Sequence, residues 1–206
     1  MPEQMRLPNK GEKVSRKRQA ELTKSKLLAV SLKLMKEQGF DQVKISDICK
    51  EANVSTGAFY HHIKSKAGIV IEGYAQCDKY FSETVFPLLK DRYDVDAILE
   101  YVEYQMKYGE DFGVDLCIQI YKAQLTEGTE FFLSQERPLP NGLISIVRNL
   151  QAKGVIQNDK DAKIIANEVL VISRGILYNW CQQNGHYDIK KFAREVISNY
   201  IKCYTI

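Results

Sequence analysis

Apolar positions recur along this chain at helical spacing almost from end to end. Leu27, Val30, Ser31, Leu34 and Met35 fall at i, i+3, i+4, i+7 and i+8, which is one face of a helix. Gly39, after Lys36-Glu37-Gln38, is a stop signal. Ile45, Ile48, Cys49 and Ala52 form the inward face of a short second helix, and Asn53 follows, a residue that tolerates positive φ. Ser55 is suited to cap a third short helix, "TGAFYHH". Ser65 is placed to cap a long fourth helix, which Pro87 interrupts or bends. Further amphipathic helices are expected at about 94–109, 114–126, 141–153, 161–184 and 189–203. The stretch "TEGTEFFLSQERPLPNG" reads as a loop. No segment alternates apolar and polar with hairpin turns, so the expected class is all-α, with almost no sheet.

Charge divides this helical chain in two. Residues 1–66 hold 14 Lys/Arg and 7 Asp/Glu, whereas residues 67–206 hold 15 and 19. A basic front end on an acidic body points to a polyanionic partner for the front end alone. Three regions follow: a mobile basic arm over 1–20, a small module over 21–66 and a helical body over 67–206. No apolar run is long enough to span a membrane. The first residues lack the apolar stretch of a secretory signal. Five scattered cysteines, with no C-x-x-C pair, suit a reduced interior. These readings give a cytoplasmic protein without a membrane partner.

The run Val54–Lys66, "VSTGAFYHHIKSK", concentrates hydroxyls and two of the three histidines. A zinc site would need three or four suitably spaced ligands. His61 and His62 are adjacent, so on a helix they point about 100° apart, and Cys49 lies on the inward face of its own helix. A Ser–His nucleophile would need a pocket and an orienting acid. No metal, cofactor or catalytic group is therefore expected here, and the chain is read as a non-enzyme. The pattern of helix, Ala-Asn-Val, Ser, short helix is a helix-turn-helix, whose second helix can lie in a major groove. Ala58 and Phe59 would pack back toward Ile48 and Val54, leaving Thr56, Gly57, Tyr60 and His61 outward.

With these residues in register, the segment from about Leu27 to Ile69 resembles the DNA-binding domain of the tetracycline-repressor (TetR) family. The resemblance is carried by "LLAVSLKLMKEQGF", "ISDICKEANVS" and "TGAFYHHIKSK". It implies that Tyr60 and Lys66 grip phosphate and that Thr56, Gly57, His61 and His62 lie on or beside the groove-facing part. Lys44, Ser46 and Ser55 complete the expected DNA-contacting set. The sequence departs from the family pattern at Val30-Ser31, Cys49, Asn53 and Ala67-Gly68, none of which removes a DNA-contacting group.

The resemblance also implies that the body binds a small molecule and forms a homodimer. The ligand expected is apolar or aromatic, with Tyr101, Tyr104, Phe112, Cys117, Tyr121, Phe132, Arg174 and Tyr178 as candidate pocket residues. The segment 161–184 is apolar around most of its circumference. Ile165, Val169, Ile172, Ile176 and Trp180, with Phe192, Val196 and Tyr200 on the last helix, are the expected dimer interface. The function implied is a homodimeric repressor of a pseudo-palindromic operator, released by a small molecule. Control by a protein partner, or by none, is the alternative. A small-molecule enzyme carrying a bystander helix-turn-helix would need a catalytic cluster in the body, where His186 stands alone in a polar loop.

Overall fold

The computed structural model describes residues 15–126, 134 and 136–206. Among these the chain is helical apart from turns and one isolated antiparallel bridge, Ile156 to Thr205. The front module is α1 (Arg16–Gln38), α2 (Ile45–Ala52) and α3 (Thr56–His62). Ser15 opens α1 by accepting from the Arg18 N–H at 3.3 Å. Residues 16–20 are therefore helical, a correction to the expected arm, whose first fourteen residues lie outside the described residues. Four consecutive residues with good helix propensity (Lys17, Arg18, Gln19, Ala20) sit behind that serine cap, and their charge does not prevent a helix.

The turn between α2 and α3 follows its residue types. Asn53 adopts φ 52°, ψ 53°, and the Val54 N–H reaches back to Cys49 O at 3.0 Å, closing α2. Ser55 Oγ accepts from the Ala58 N–H at 3.1 Å, and Ser65 Oγ from the Gly68 N–H at 3.0 Å. Leu27, Ser31, Met35, Ile48, Ala52, Phe59 and Ile63 form the module's sealed core. Ser31 is satisfied there by donating to Leu27 O at 2.7 Å.

The body begins on α4 (Lys66–Tyr80), which passes through one wide turn, Phe81–Val85, into α5 (Phe86–Leu89). Pro87 does not break this rod. Upstream of it the Phe86 N–H bonds five residues back to Phe81 O, so the ladder is re-registered where proline supplies no N–H. Next come α6 (Asp96–Phe112), α7 (Val114–Thr126), α8 (Pro138–Ala152), α9 (Ala162–Gln182) and α10 (Ile189–Ile201). Most of the expected proline-rich loop lies outside the described residues, but its end is the first turn of α8. Pro138 and Pro140 belong there because first-turn N–H groups have no partner within a helix.

Helix α6 packs along α10, α8 against α9, and α9 against α7 and α10. Helix α4 lies between α1 on one side and α7 and α8 on the other. Gly73 of α4 marks the closest approach: a Cβ there would stand 3.1 Å from the Phe112 ring and 3.2 Å from Leu32. A second link joins front module and body. The carboxylate of Asp115, in the first turn of α7, accepts from the Phe40 N–H at 2.6 Å.

Candidate DNA-reading face and effector cavity

Helix α3 is built with one face in and one face out. Phe59 and Ile63 are sealed in the core, while Thr56, Gly57, Tyr60 and His61 are exposed. Tyr60 leaves half of its surface in solvent, its ring edge-on to Phe59 at 5.4 Å. His62 is half-buried, and its ring meets that of His61 edge-on at 5.1 Å. Among the described residues no group of three or more His, Cys, Asp or Glu side chains is placed to hold a metal. Ser55 spends its hydroxyl on the α3 cap. Lys44 and Ser46 are exposed at the start of α2, where the Lys44 N–H donates to Asp47 at 3.2 Å.

Lys66 has a more defined setting than spacing suggested. Its ammonium donates to Asp41 O at 3.2 Å and lies 4.6 Å over the Phe40 ring. The start of α4 is thereby fastened to the turn after α1, and an ammonium with three donors keeps capacity for a phosphate oxygen. Thr56, Gly57, Tyr60, His61 and Lys44 are thus exposed and Lys66 half-buried.

In the body, a mainly apolar cavity opens between α4, α6, α7 and α9. Only about 40 Å³ of it admits the centre of a water molecule, so it is narrow. Of the eight pocket residues expected from sequence, Phe112, Cys117, Tyr121 and Arg174 line it. Three others stand elsewhere. Tyr101 is sealed in the core, donating to Leu139 O at 2.7 Å. Tyr104 faces a surface groove between α6 and α10 with Lys107 and Arg194. Tyr178 is half-exposed, edge-on to Tyr121 from outside at 5.7 Å. Aromatic composition alone could not separate these positions. Phe132 lies outside the described residues.

The residues that sequence reasoning missed share a legible signal. Gln105, Tyr108 and Gly109 precede Phe112 on α6 at i, i+3, i+4 and i+7, so one inward stripe carries a glutamine and a glycine. Tyr74 and Cys77 line the cavity from α4. Burial pushes the Cys77, Tyr108 and Tyr121 acids well above their ordinary range, so these groups stay neutral. Cys117 donates to Gly109 O at 3.4 Å. Its hydrogen bond with Cys181, reinforced by burial, also raises it. Beneath the cavity Asp78 and Arg137 form a buried ion pair, N···O 2.8 Å, and Arg137 lies 4.7 Å over the Tyr74 ring.

The expected dimer residues need correction. Ile165 and Val169 have no exposed surface, and Ile176 and Trp180 almost none, so these four serve the protomer's own core. Ile172, Val196 and Tyr200 are half-buried, and Phe192 is exposed. The outward stripe of α9 is instead Ile164, Val171, Gly175 and Tyr178. A helix apolar on nearly every side gives no phase by periodicity, and neighbouring helices decide which stripe is covered.

With the helix-turn-helix, its outward face and the body in place, comparison with known proteins is decisive. Residues 27–72 match the family described as bacterial regulatory proteins, tetR family. The front module is thus a TetR-family DNA-binding segment. The transcriptional regulator AcrR of Shigella flexneri is 23% identical over 215 residues, covering 92% of this chain and 93% of AcrR. IcaR of Staphylococcus epidermidis, a negative regulator of the biofilm operon icaADBC, is 27% identical over 113 residues, 54% of this chain and 58% of IcaR. A TetR-family regulator from Pectobacterium atrosepticum shares the fold with a TM-score of 0.71 at 16% identity, over 94% of this chain and 98% of that one. Thermus thermophilus FadR, solved with lauroyl-CoA, gives 0.68 at 17% identity, over 85% and 91%.

Proposed function

We propose that this chain is a TetR-family DNA-binding transcriptional repressor that acts as a homodimer and is released from its operator by a small molecule held in the body. The observation that carries the reading is the helix-turn-helix itself, in which Thr56, Gly57, Tyr60 and His61 of α3 are exposed over a sealed core and Lys44 and Lys66 stand at the starts of α2 and α4. Tyr60 and Lys66 hold phosphate and set register, while Thr56 and His61 read base edges in the major groove. The reading head is residues 21–66, extended by the first turn of α1, and residues 67–206 are the effector and dimer body. AcrR and IcaR, both named as transcriptional regulators, support regulation. FadR with lauroyl-CoA supports a ligand-holding body in this fold.

Two routes join cavity to head. Helix α4 runs from cavity-lining Tyr74 to Lys66, and α7 runs from Cys117 to Asp115 and its bond with Phe40. A ligand that favours one arrangement of these helices changes the separation of two heads, and with it operator affinity.

The DNA contacts are tested by salt dependence. Lys66→Ala is expected to weaken operator binding at every sequence and to flatten the slope of log affinity against log salt by about one. Tyr60→Phe removes one neutral hydrogen bond and weakens binding by up to about tenfold without changing that slope. Wild-type affinity and slope in both variants would refute these assignments.

The outward stripe of α9 beside Phe192 of α10 is the proposed dimer face, with a second copy as its occupant. Two half-sites need two heads, and the stripe presents Ile164, Val171 and Tyr178 about half-exposed around an open Gly175. Val171→Asp is expected to give monomers in sedimentation and to lower operator affinity by at least about a hundredfold. A variant that remains dimeric would move the interface elsewhere.

A further inference from the structure

The cavity carries one unmet chemical demand. Gln105 is nine-tenths buried, and its Oε1 is the single buried side-chain nitrogen or oxygen among the described residues without a hydrogen-bond partner. Buried polar atoms are otherwise satisfied throughout the described body, as natural proteins require. An orphan acceptor on a cavity-lining residue is a group that a ligand can complete.

Two hydroxyls and one thiol on the same wall present the same polarity. Tyr108 gives its hydroxyl proton to Gly73 O at 3.0 Å, and Tyr121 gives its own to Arg174 O at 2.7 Å. The Cys117 thiol is directed at Gly109 O. These groups offer lone pairs, not protons, to anything entering the cavity. No carboxylate lines the wall and Arg174 is its one charged residue, so a cationic ligand would find no counter-charge. The walls are aromatic: Tyr108 and Phe112 are stacked within 18° of parallel, their centroids 6.1 Å apart. The narrowness of the space selects for a flat molecule.

We infer that the ligand is a small planar aromatic compound that donates a hydrogen bond, from a hydroxyl or N–H group, to Gln105 Oε1. This rests on the effector reading of the same cavity and specifies its chemistry. The donor fixes orientation and discriminates strongly, because an isosteric ligand without it leaves the acceptor buried and unpaired.

The test is a matched pair of probes on the full chain, 2-naphthol and 2-methoxynaphthalene, titrated calorimetrically. 2-Naphthol is expected to bind at least about tenfold more tightly than its methyl ether. In Gln105→Met, which keeps side-chain length and removes the acceptor, that ratio should fall to about one. Taking the ratio within each variant cancels any general loosening of the fold. Equal affinities in the wild type, an unchanged ratio in Q105M, or no saturable binding of either probe would overturn the inference.

Operator release is measured separately, with each probe and with lauroyl-CoA. Release by lauroyl-CoA alongside equal naphthyl affinities overturns the Gln105 contact and leaves the effector reading standing. A Gln105-dependent preference for 2-naphthol, with no release by any compound, supports the contact and overturns the effector reading.

Discussion

Replacing Asp78 by Ala is expected to destabilise the protein by about 3–5 kcal/mol, which lowers its melting temperature by roughly 10 °C. Asp78 and Arg137 side chains are 11% and 8% exposed, and two hydrogen bonds, 2.8 and 3.1 Å, join them. Asp78 Oδ1 also faces the Leu139 N–H at 3.4 Å, so the carboxylate of α4 serves the first turn of α8. Removing it leaves a guanidinium buried beside the cavity with its principal counter-charge gone. The cost comes from that isolated charge more than from the lost attraction, so Asp78→Leu with Arg137→Met should recover most of the stability. Thermal unfolding of the single and double variants decides this. A single variant within about 1 kcal/mol of wild type would show that the pair carries no such strain.

The second large effect is expected in the head. Phe59→Ala empties the centre of a small core and should cost about 3–5 kcal/mol. The three-helix head has little else to hold it, so operator binding should be lost while the body keeps its helical signal. Tyr60→Ala, one residue along the same helix, should leave the stability within about 0.5 kcal/mol of wild type and weaken only DNA binding. The contrast between adjacent aromatics tests which way α3 faces. Comparable destabilisation by the two substitutions would mean that its inward and outward sides have been exchanged.

The head was legible in the sequence because its signals are local. Asn53 adopts the left-handed turn its side chain tolerates, and Ser55 and Ser65 cap the helices that follow. Each such residue acts on backbone only a few positions away. The body was legible as helices but not as faces. On α9 the run from Ile164 to Ile172 holds apolar residues on several sides, so periodicity could not separate Ile165, which is sealed, from Ile164, which is half-exposed. Phase on such a helix is set by α8, α7 and α10, which are distant in sequence.

The cavity was harder to read for the same reason. Tyr101, Tyr104 and Tyr121 have the same composition, yet one is core, one faces a surface groove and one lines the cavity. Gln105 was the available clue: an amide inside an inward apolar stripe requires a partner that no nearby residue supplies. Pro87 and Pro138 show a different limit. Pro87 was read as interrupting or bending its helix and Pro138 as part of a loop, and both are absorbed, one by a five-residue turn and the other by a helix start.

The central claim is that the outward end of α2 and α3 reads DNA as one half of a two-fold pair. The most direct measurement is a footprint of the full chain on the DNA upstream of its own gene, with wild type and Lys66→Ala side by side. Two protected half-sites in inverted repeat are expected, on successive major grooves about 34–36 Å apart or a multiple of that spacing. The same pattern should be shifted to higher protein concentration in the variant. Protection of a single unrepeated site, or a wild-type footprint identical in position and concentration to that of Lys66→Ala, would contradict the account.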